Sequence, residues 1–204
     1  ALPYLAEHTD VSISRVSLIF TMSSIGFFIG SILSGFLYDR ISGSKLLFAA
    51  FCLVSTAAFF IPVISSFPLL CAVIMLFGFG NGTIVVGCNT LIIRVHSLHV
   101  GQLINGMHVV NGVGAFITPL VFAQIIARTG DVVLGYRLYV IIFALIGVYI
   151  ILTPSPELQG SHKKQEKTTT ESHPKRLVLI LLILTFMIYI GSEISMNGWI
   201  YTYT

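Results

Sequence analysis

Between two long apolar runs lies the short charged stretch Gly35-Phe36-Leu37-Tyr38-Asp39-Arg40-Ile41-Ser42-Gly43-Ser44-Lys45. A short polar link between hydrophobic runs is typical of a tight loop at one face of a membrane. We expect Gly35 to let two helices approach closely, and Gly43 to adopt the left-handed conformation that ends a helix. Asp39 and Arg40 would lie at the membrane edge, where a carboxylate accepts from helix amides and a cation pairs with an acid. The alternative is an ordinary turn that carries charge.

The composition excludes an ordinary soluble domain. Hydrophobic residues make up 55% of the 204 residues and charged residues only 9%, whereas a soluble domain carries about a quarter charged residues. The three cysteines lie isolated inside apolar runs, so we expect packing roles and no metal site. The net charge of +3 is not gathered into a basic-aromatic patch, which argues against a nucleic-acid partner. The sequence predicts an integral membrane protein in contact with lipid, with no cofactor.

Six apolar runs are each long enough to cross a hydrocarbon core of about 30 Å. We therefore predict an all-α fold, a polytopic bundle of transmembrane helices. The runs are Ser14–Leu37, Lys45–Ile64, Phe67–Ile93, Gln102–Ala127, Leu134–Thr153 and Leu177–Tyr203.

Lys and Arg residues are distributed unevenly between alternate loops, and this asymmetry predicts the orientation of the runs. The opposite loops contain Arg15, Arg128 and Arg137. The richer set, which we assign to the cytoplasmic side, consists of Arg40, Lys45, Arg94, Lys163, Lys164, Lys167, Lys175 and Arg176. Residues 154–176 are polar and charged without an apolar period, so we predict a disordered cytoplasmic linker there.

The third run carries polar side chains within the membrane. Asn81, Val85, Cys88 and Asn89 fall within about a third of the circumference of a helix. An amide that faces lipid leaves costly unpaired donors, so this face should line the bundle interior or a wet cavity. The alternative is that both amides only tie helices together.

The fourth run repeats this feature, because Asn105, His108 and Asn111 recur at three-residue steps. A single histidine is more often a satisfied core residue than a ligand. His108 shares its face with two amides, however, and polar groups at this depth favour a solute pathway.

The last run contains Glu193, the one acidic residue that lies well inside an apolar run. A carboxylate there costs about 3 kcal/mol unless it is paired, protonated or wet, so Glu193 is a functional candidate. Tyr189 and Asn197 lie one turn to either side on the same face. Aromatic rings, amides and a carboxylate together suit a polyhydroxylated ligand. A structural hydrogen bond between helices through Glu193 is the alternative.

The charged loop resembles the signature Gly-x-Leu-x-Asp-Arg-x-x-Gly between the second and third spans of the major facilitator superfamily. Ser42 is one residue more than the family usually has, and the single Lys45 replaces a basic pair. The resemblance implies that the six runs correspond to spans two to seven of a twelve-span layout. Residues 1–153 would form an N-terminal helical half without its first span. Residues 154–176 would be the loop between the halves, and residues 177–204 the first span of the C-terminal half, cut short.

Three further motifs resemble the fucose-permease-like branch, which includes sodium-dependent glucose-transporter-like proteins. They are Gly-x-Gly-x-Gly with Gly-Cys-Asn-Thr-Leu at residues 78–91, Asn-Gly-x-His at residues 105–108, and Gly-x-Glu followed by Gly-Trp-Ile at residues 191–200. Members of this branch commonly carry Asp or Glu at the position that Val85 occupies here. In those proteins the acid serves as a proton or cation site. Because this chain has valine there, the resemblance does not predict the coupling ion.

The resemblance implies a secondary transporter that moves a small polar solute by alternating access, and not an enzyme. We expect a monosaccharide such as glucose or fucose, a proton or sodium as the coupling ion, and a plasma-membrane location. The conformational loop would consist of Gly35, Asp39, Arg40 and Gly43. The alternative is a transport-inactive receptor or sensor of the same fold, favoured by Val85. Binding residues would be Asn81, Asn89, Asn105, His108, Asn111, Tyr189, Glu193 and Asn197.

Overall fold

The structure is a computed structural model that describes residues 2–95, 99–153 and, in the last apolar run, residues 178, 180–182, 184–185, 187–189 and 191–192. All regular elements in this part of the chain are α-helices, which confirms the predicted fold class. They are α1 (Leu2–His8), α2 (Ile13–Val16), α3 (Leu18–Tyr38), α4 (Gly43–Phe60), α5 (Phe67–Val95), α6 (Val100–Thr129) and α7 (Val132–Leu152). The chain divides into two compact units, residues 1–159 and 160–204.

Five helical stretches of the described residues are long and apolar enough to cross a membrane: Ile13–Tyr38, Gly43–Phe60, Phe67–Val95, Val100–Thr129 and Val132–Leu152. Their ends lie within four residues of the first five predicted runs. Much of the sixth predicted run lies outside the described residues, although its central part includes the apolar helix Ile180–Tyr189. The predicted linker, residues 154–176, lies entirely outside them.

Local side-chain chemistry sets several helix ends. The Ser17 hydroxyl donates to the Ser14 carbonyl at 2.7 Å, where the chain passes from α2 into α3. Gly130 ends α6 with a positive φ of 68°, which glycine adopts at little cost, and its N–H donates to the Ile126 carbonyl. The Asp131 carboxylate then caps α7 by accepting from the Val133 N–H at 2.7 Å. The connection between α6 and α7 is therefore short and well defined.

The closest packing in the bundle joins α3 to α5 through glycine. A Cβ atom added at Gly26 or Gly30 would collide with the α5 backbone at Met75 or Phe79. In return, a Cβ at Gly78 would collide with the Ser23 carbonyl of α3. Small residues let helix backbones touch in lipid, where no hydrophobic effect drives helices together. We call this contact the glycine seam.

Two apolar clusters hold the bundle at opposite ends. The first joins α1, α2, α3, the loop after α4 and α5, and consists of Leu5, Ala6, Val16, Ile19, Ile61, Ile64, Leu70 and Ile74. The second lies at the end that holds Asp39 and consists of Tyr38, Leu47 and Phe51, with Phe143 and Ile150 of α7 packed against it. Helix α7 therefore packs on the α4 side of the bundle.

Helix α1 is fixed to the loop between α4 and α5 by polar contacts. The Tyr4 hydroxyl donates to the Pro62 carbonyl at 3.1 Å. The His8 ring stacks on Tyr4 with centroids 5.6 Å apart. His8 Nε2 lies 3.3 Å from the Ser65 hydroxyl and 3.4 Å from the Val63 carbonyl. These contacts close the predicted extracytoplasmic end of the bundle.

Gly35 and Gly43 do not have the expected geometry. A Cβ at Gly35 would meet no atom within 4 Å among the described residues, so the expected close approach of two helices at Gly35 is wrong. Gly43 begins α4 instead of ending α3, and its φ is not positive. A Cβ there would come within 2.9 Å of the Leu91 side chain, so Gly43 is the glycine at the helix contact. The chain turns without a left-handed residue because Ser42 is extended at ψ 132°.

The glycine seam makes a direct prediction. Replacing Gly30 with alanine should lower the free energy of unfolding by about 1–3 kcal/mol, because the new methyl group must push α3 away from Phe79. The matched control is Gly35→Ala in the same helix, which meets open space and should change stability little. Thermal unfolding of the detergent-purified protein measures both. Equal melting temperatures for the two variants would contradict the seam.

Candidate functional site

Helix α5 contacts different neighbours on different sides, and this fixes the direction of its polar face. Gly78 and Gly82 turn toward α3, and Gly80 turns toward Val54 of α4. At about 100° per residue, Asn81 lies roughly 60° from Gly78 and 100° from Gly80. It therefore points between the two packed sides. Asn81 is half-buried.

The two amides of α5 use their donors on their own helix. Asn81 Nδ2 donates to the Phe77 carbonyl at 3.1 Å, and Asn89 Nδ2 donates to the Val85 carbonyl at 3.0 Å. Neither side chain bonds to another helix among the described residues, which does not support the helix-tying alternative. Both Oδ1 atoms lack a partner in that part of the chain. The two amides are about 12 Å apart along the axis, so the face offers two separate acceptors.

The three α6 residues that the sequence predicts to bind solute are all exposed: Asn105, His108 and Asn111. No residue of α6 is buried within the described structure. Phe122 comes three turns after Asn111 on nearly the same side, and its ring packs edge-on against Tyr136 of α7 at 5.5 Å. His108 and Asn111 thus lie near the side of α6 that docks on α7, and Asn105 lies about 100° from it. The structure brings none of the three into hydrogen bonding with Asn81 or Asn89.

The predicted binding residues of the last run belong to the second compact unit, residues 160–204. Tyr189 is 62% exposed within the second compact unit. Glu193 and Asn197 lie outside the described residues. Their assignment to a solute site stays a prediction.

The charged loop is held by a residue that sequence reasoning missed. Arg94, near the end of α5, lies 3.3 Å from the Asp39 carboxylate and donates to the Tyr38 carbonyl at 3.0 Å. The Tyr38 ring is buried, and its hydroxyl donates to the Thr83 carbonyl at 3.3 Å. The Arg40 side chain is exposed and makes no hydrogen bond or ion pair with the described residues, and the Arg40 N–H donates to the Leu37 carbonyl at 3.0 Å. The sequence holds one indication of this contact, because Arg94 and Asp39 lie on the same predicted side of the membrane.

Sequence reasoning also missed a column of aromatic rings beside Asn81. The Phe77 and Tyr139 rings have centroids 6.3 Å apart. Tyr139 stacks on Phe143 at 4.1 Å, and Phe143 contacts Phe51 at 5.5 Å. We call these four residues the aromatic column. It joins α5, α7 and α4, which are separated in sequence, so no single run reveals it.

Two observations limit the chemistry of this region. The described residues contain no group of three or more His, Cys, Asp or Glu side chains that could hold a metal ion. The four described acids, Glu7, Asp10, Asp39 and Asp131, all lie at helix ends or in loops. The described membrane interior therefore offers amides, hydroxyls, aromatic rings and the His108 imidazole as polar contacts.

Comparison with known families agrees with this architecture. The profile of the Major Facilitator Superfamily matches residues 1–204. The chain belongs to this superfamily. Membership confirms the family predicted from the charged loop. It also makes the chain an integral, multi-pass membrane protein of a family of transporters, not of enzymes.

Several relatives are similar along nearly the whole chain. Sodium-dependent glucose transporter 1 of Xenopus laevis is 26% identical, over 98% of this chain and 46% of its own length. The human protein of that name is 24% identical, over 98% of this chain and 45% of its own length. Protein TsgA homolog of Buchnera aphidicola is 26% identical, over 98% of this chain and 51% of its own length. The chain spans about half the length of these relatives.

The direction of the α5 polar face can be tested by thiol accessibility. In a background with the native cysteines replaced by serine, Asn81→Cys and Asn89→Cys should react with a membrane-impermeant thiol reagent. The matched control, Phe28→Cys on α3, replaces a side chain that is 64% exposed and apolar, and should stay unreactive because it faces lipid. Equal reactivity at all three positions would contradict a water-accessible face on α5.

Proposed function

We propose that the protein is a secondary transporter that moves a small neutral polar solute by alternating access. The observation that carries the proposal is the polar face of α5, where two amides expose acceptor atoms inside an otherwise apolar bundle. Such groups are costly in lipid, so they are retained where a cavity or solute meets them. Sites of this kind lie near the membrane midplane in secondary transporters.

The unused atoms of the face indicate the chemistry of the solute. Each amide nitrogen of Asn81 and Asn89 donates one of its two N–H groups to its own helix, and the carbonyl oxygens remain as acceptors. Acceptors placed at intervals along a helix recognise hydroxyl donors. Aromatic rings beside them supply apolar stacking surface. Amide oxygens with neighbouring rings are what a sugar requires.

A monosaccharide is therefore the proposed solute class, with glucose or fucose as the first candidates. The relatives named as sodium-dependent glucose transporters support this choice. The proposed site also includes the α6 residues Asn105, His108 and Asn111. For Tyr189, Glu193 and Asn197 of the last run, solute contact stays a prediction from the sequence. A plasma-membrane location belongs to the same proposal.

The contact of Arg94 with Asp39 gives the proposed transport cycle a latch. It ties the end of α5 to the last turn of α3 at the predicted cytoplasmic edge. Asp39 is largely exposed, so the ion pair alone contributes less than about 1 kcal/mol. A weak contact of this kind can form in one conformation and break in another. Arg94 follows Asn81 by 13 residues, about 20 Å along α5, so we expect the contact to affect turnover and not solute binding at Asn81.

Coupling to an ion is proposed to be weak. Val85 is apolar and 43% exposed on the polar face, where relatives of the fucose-permease-like branch were expected to carry an acid. Among the described residues of α6, His108 is the titratable side chain nearest in sequence to Asn105 and Asn111. The relatives' names indicate sodium dependence for those proteins. Glu193 is the residue of this chain through which such dependence would act.

A transport-inactive receptor of the same fold is the second candidate, and Val85 is the observation that favours it. A carrier that lacks its coupling acid can keep a binding site and lose accumulation. Ligand binding without flux identifies this case.

We expect the natural-length protein in proteoliposomes to equilibrate radiolabelled glucose or fucose, with counterflow in the presence of excess internal sugar. A sodium or proton gradient should increase steady-state uptake by less than about two-fold, because the described spans lack an acid. Protein-free liposomes provide the control. Sugar binding without counterflow would establish the receptor. Steep accumulation that Glu193→Gln abolishes would overturn weak coupling and assign that carboxylate as the coupling group.

The latch predicts separate effects on turnover and affinity. Asp39→Asn and Arg94→Gln should each lower turnover at least ten-fold while changing sugar affinity by no more than a few fold, since their side-chain contacts are with each other and with Tyr38, and not with Asn81 or Asn89. Arg40→Gln is the matched control, because Arg40 also lies in the loop but has no partner among the described residues. Equilibrium binding and initial rates of uptake measure the two quantities. A large loss of affinity with normal turnover would contradict the latch.

A further inference from the structure

Tyr139 faces the inside of the bundle. On α7 it lies between Gly135, which packs on the Phe122 ring of α6, and Phe143, which packs on Phe51 of α4. These residues follow at four-residue steps and share one side of the helix. A different side of the helix, about 60–120° away from Tyr139, carries the exposed residues Leu138, Ile142, Leu145 and Tyr149. The Tyr139 side chain is therefore directed away from lipid.

The Tyr139 ring is fixed, but its hydroxyl is unused. Stacking on Phe143 at 4.1 Å, with 25° between the planes, and contact with Phe77 at 6.3 Å hold the ring on two sides. No hydrogen bond joins the hydroxyl to the described residues. The oxygen is also not among the fully enclosed, unpaired oxygens, which belong to Ser31, Ser42 and Ser55. The oxygen therefore keeps some accessible surface.

A phenol within a membrane span favours a hydrogen-bond partner, because a hydroxyl left without one in an apolar environment costs about 1–3 kcal/mol. The nearest polar position on α5 is one turn from the ring that touches Tyr139. Asn81 follows Phe77 by four residues and donates to the Phe77 carbonyl. Asn81, with its free Oδ1, thus lies one helical turn, about 6 Å along α5, from the ring that contacts Tyr139.

We propose that Tyr139 is a solute-contacting residue that recognises one hydroxyl group of a sugar also bound by Asn81. This inference rests on the proposed function and adds a residue that the sequence patterns did not single out. The phenol supplies a donor where the Asn81 oxygen supplies an acceptor, so the pair can bind two neighbouring hydroxyls. The rigid column pre-sets the phenol at no further cost in side-chain entropy.

The test uses Tyr139→Phe in the natural-length protein, which removes the hydroxyl and keeps the stacked ring. Its matched control is Tyr136→Phe, three residues earlier. The Tyr136 ring packs on Phe122 and on the first apolar cluster, the one that contains Leu5, instead of on Phe77. Equilibrium binding is measured for glucose or fucose, whichever the wild type binds more tightly, and for each singly deoxygenated analogue. Thermal unfolding of each variant reports its stability.

We expect Tyr139→Phe to weaken binding of the parent sugar about 3- to 10-fold and to leave the melting temperature unchanged. For one deoxygenated analogue, the wild type and Tyr139→Phe should bind equally, because the group that Tyr139 contacts is already missing. Tyr136→Phe should bind every sugar as the wild type does. Unchanged binding in Tyr139→Phe, or equal weakening for every analogue, would overturn the inference and leave the proposed function standing. A wild-type protein that binds neither sugar would instead refute the proposed monosaccharide.

Discussion

Contact between the backbones of α3 and α5 is the constraint on which the rest of the bundle depends. Glycines on both helices remove the side chains that would separate them, so the two axes are held close without any large apolar surface. This contact fixes the rotation of α5. With one side against α3 and another against α4, Asn81 must point to the remaining side. The direction of the polar face is therefore set by glycines that carry no chemistry.

The two ends of the bundle are held by different means. At the predicted extracytoplasmic end, apolar side chains and the contacts of Tyr4 and His8 hold α1 against the loop between α4 and α5. At the other end the buried Tyr38 anchors α3 to α5, while the outer contact of Arg94 with Asp39 is exposed. Exposed charge pairs are weak and sensitive to salt. The bundle is thus firm at one end and adjustable at the other.

The sequence predicted the spans well because hydrophobic length is a local property. Five runs recur as helices with ends shifted by four residues or fewer. It also gave the right helix for Asn81 and Asn89, since helical periodicity needs only the spacing. It failed at Gly35 and Gly43, because which glycine meets a neighbour depends on where that neighbour lies. Arg94 and Tyr139 were missed for the same reason: each acts through a partner more than 50 residues away.

The glycine seam also has a consequence for biosynthesis. Helix α3 packs mainly on α5 and only slightly on α4, its neighbour in sequence. Residues 39–95 must therefore be synthesised before the seam can close, which takes about 3–11 s at ordinary rates of translation. During that interval the glycine face of α3 lacks its native partner. Insertion of this protein is thus a problem of timing, in which α3 must be kept from other small-residue helices until α5 enters the membrane.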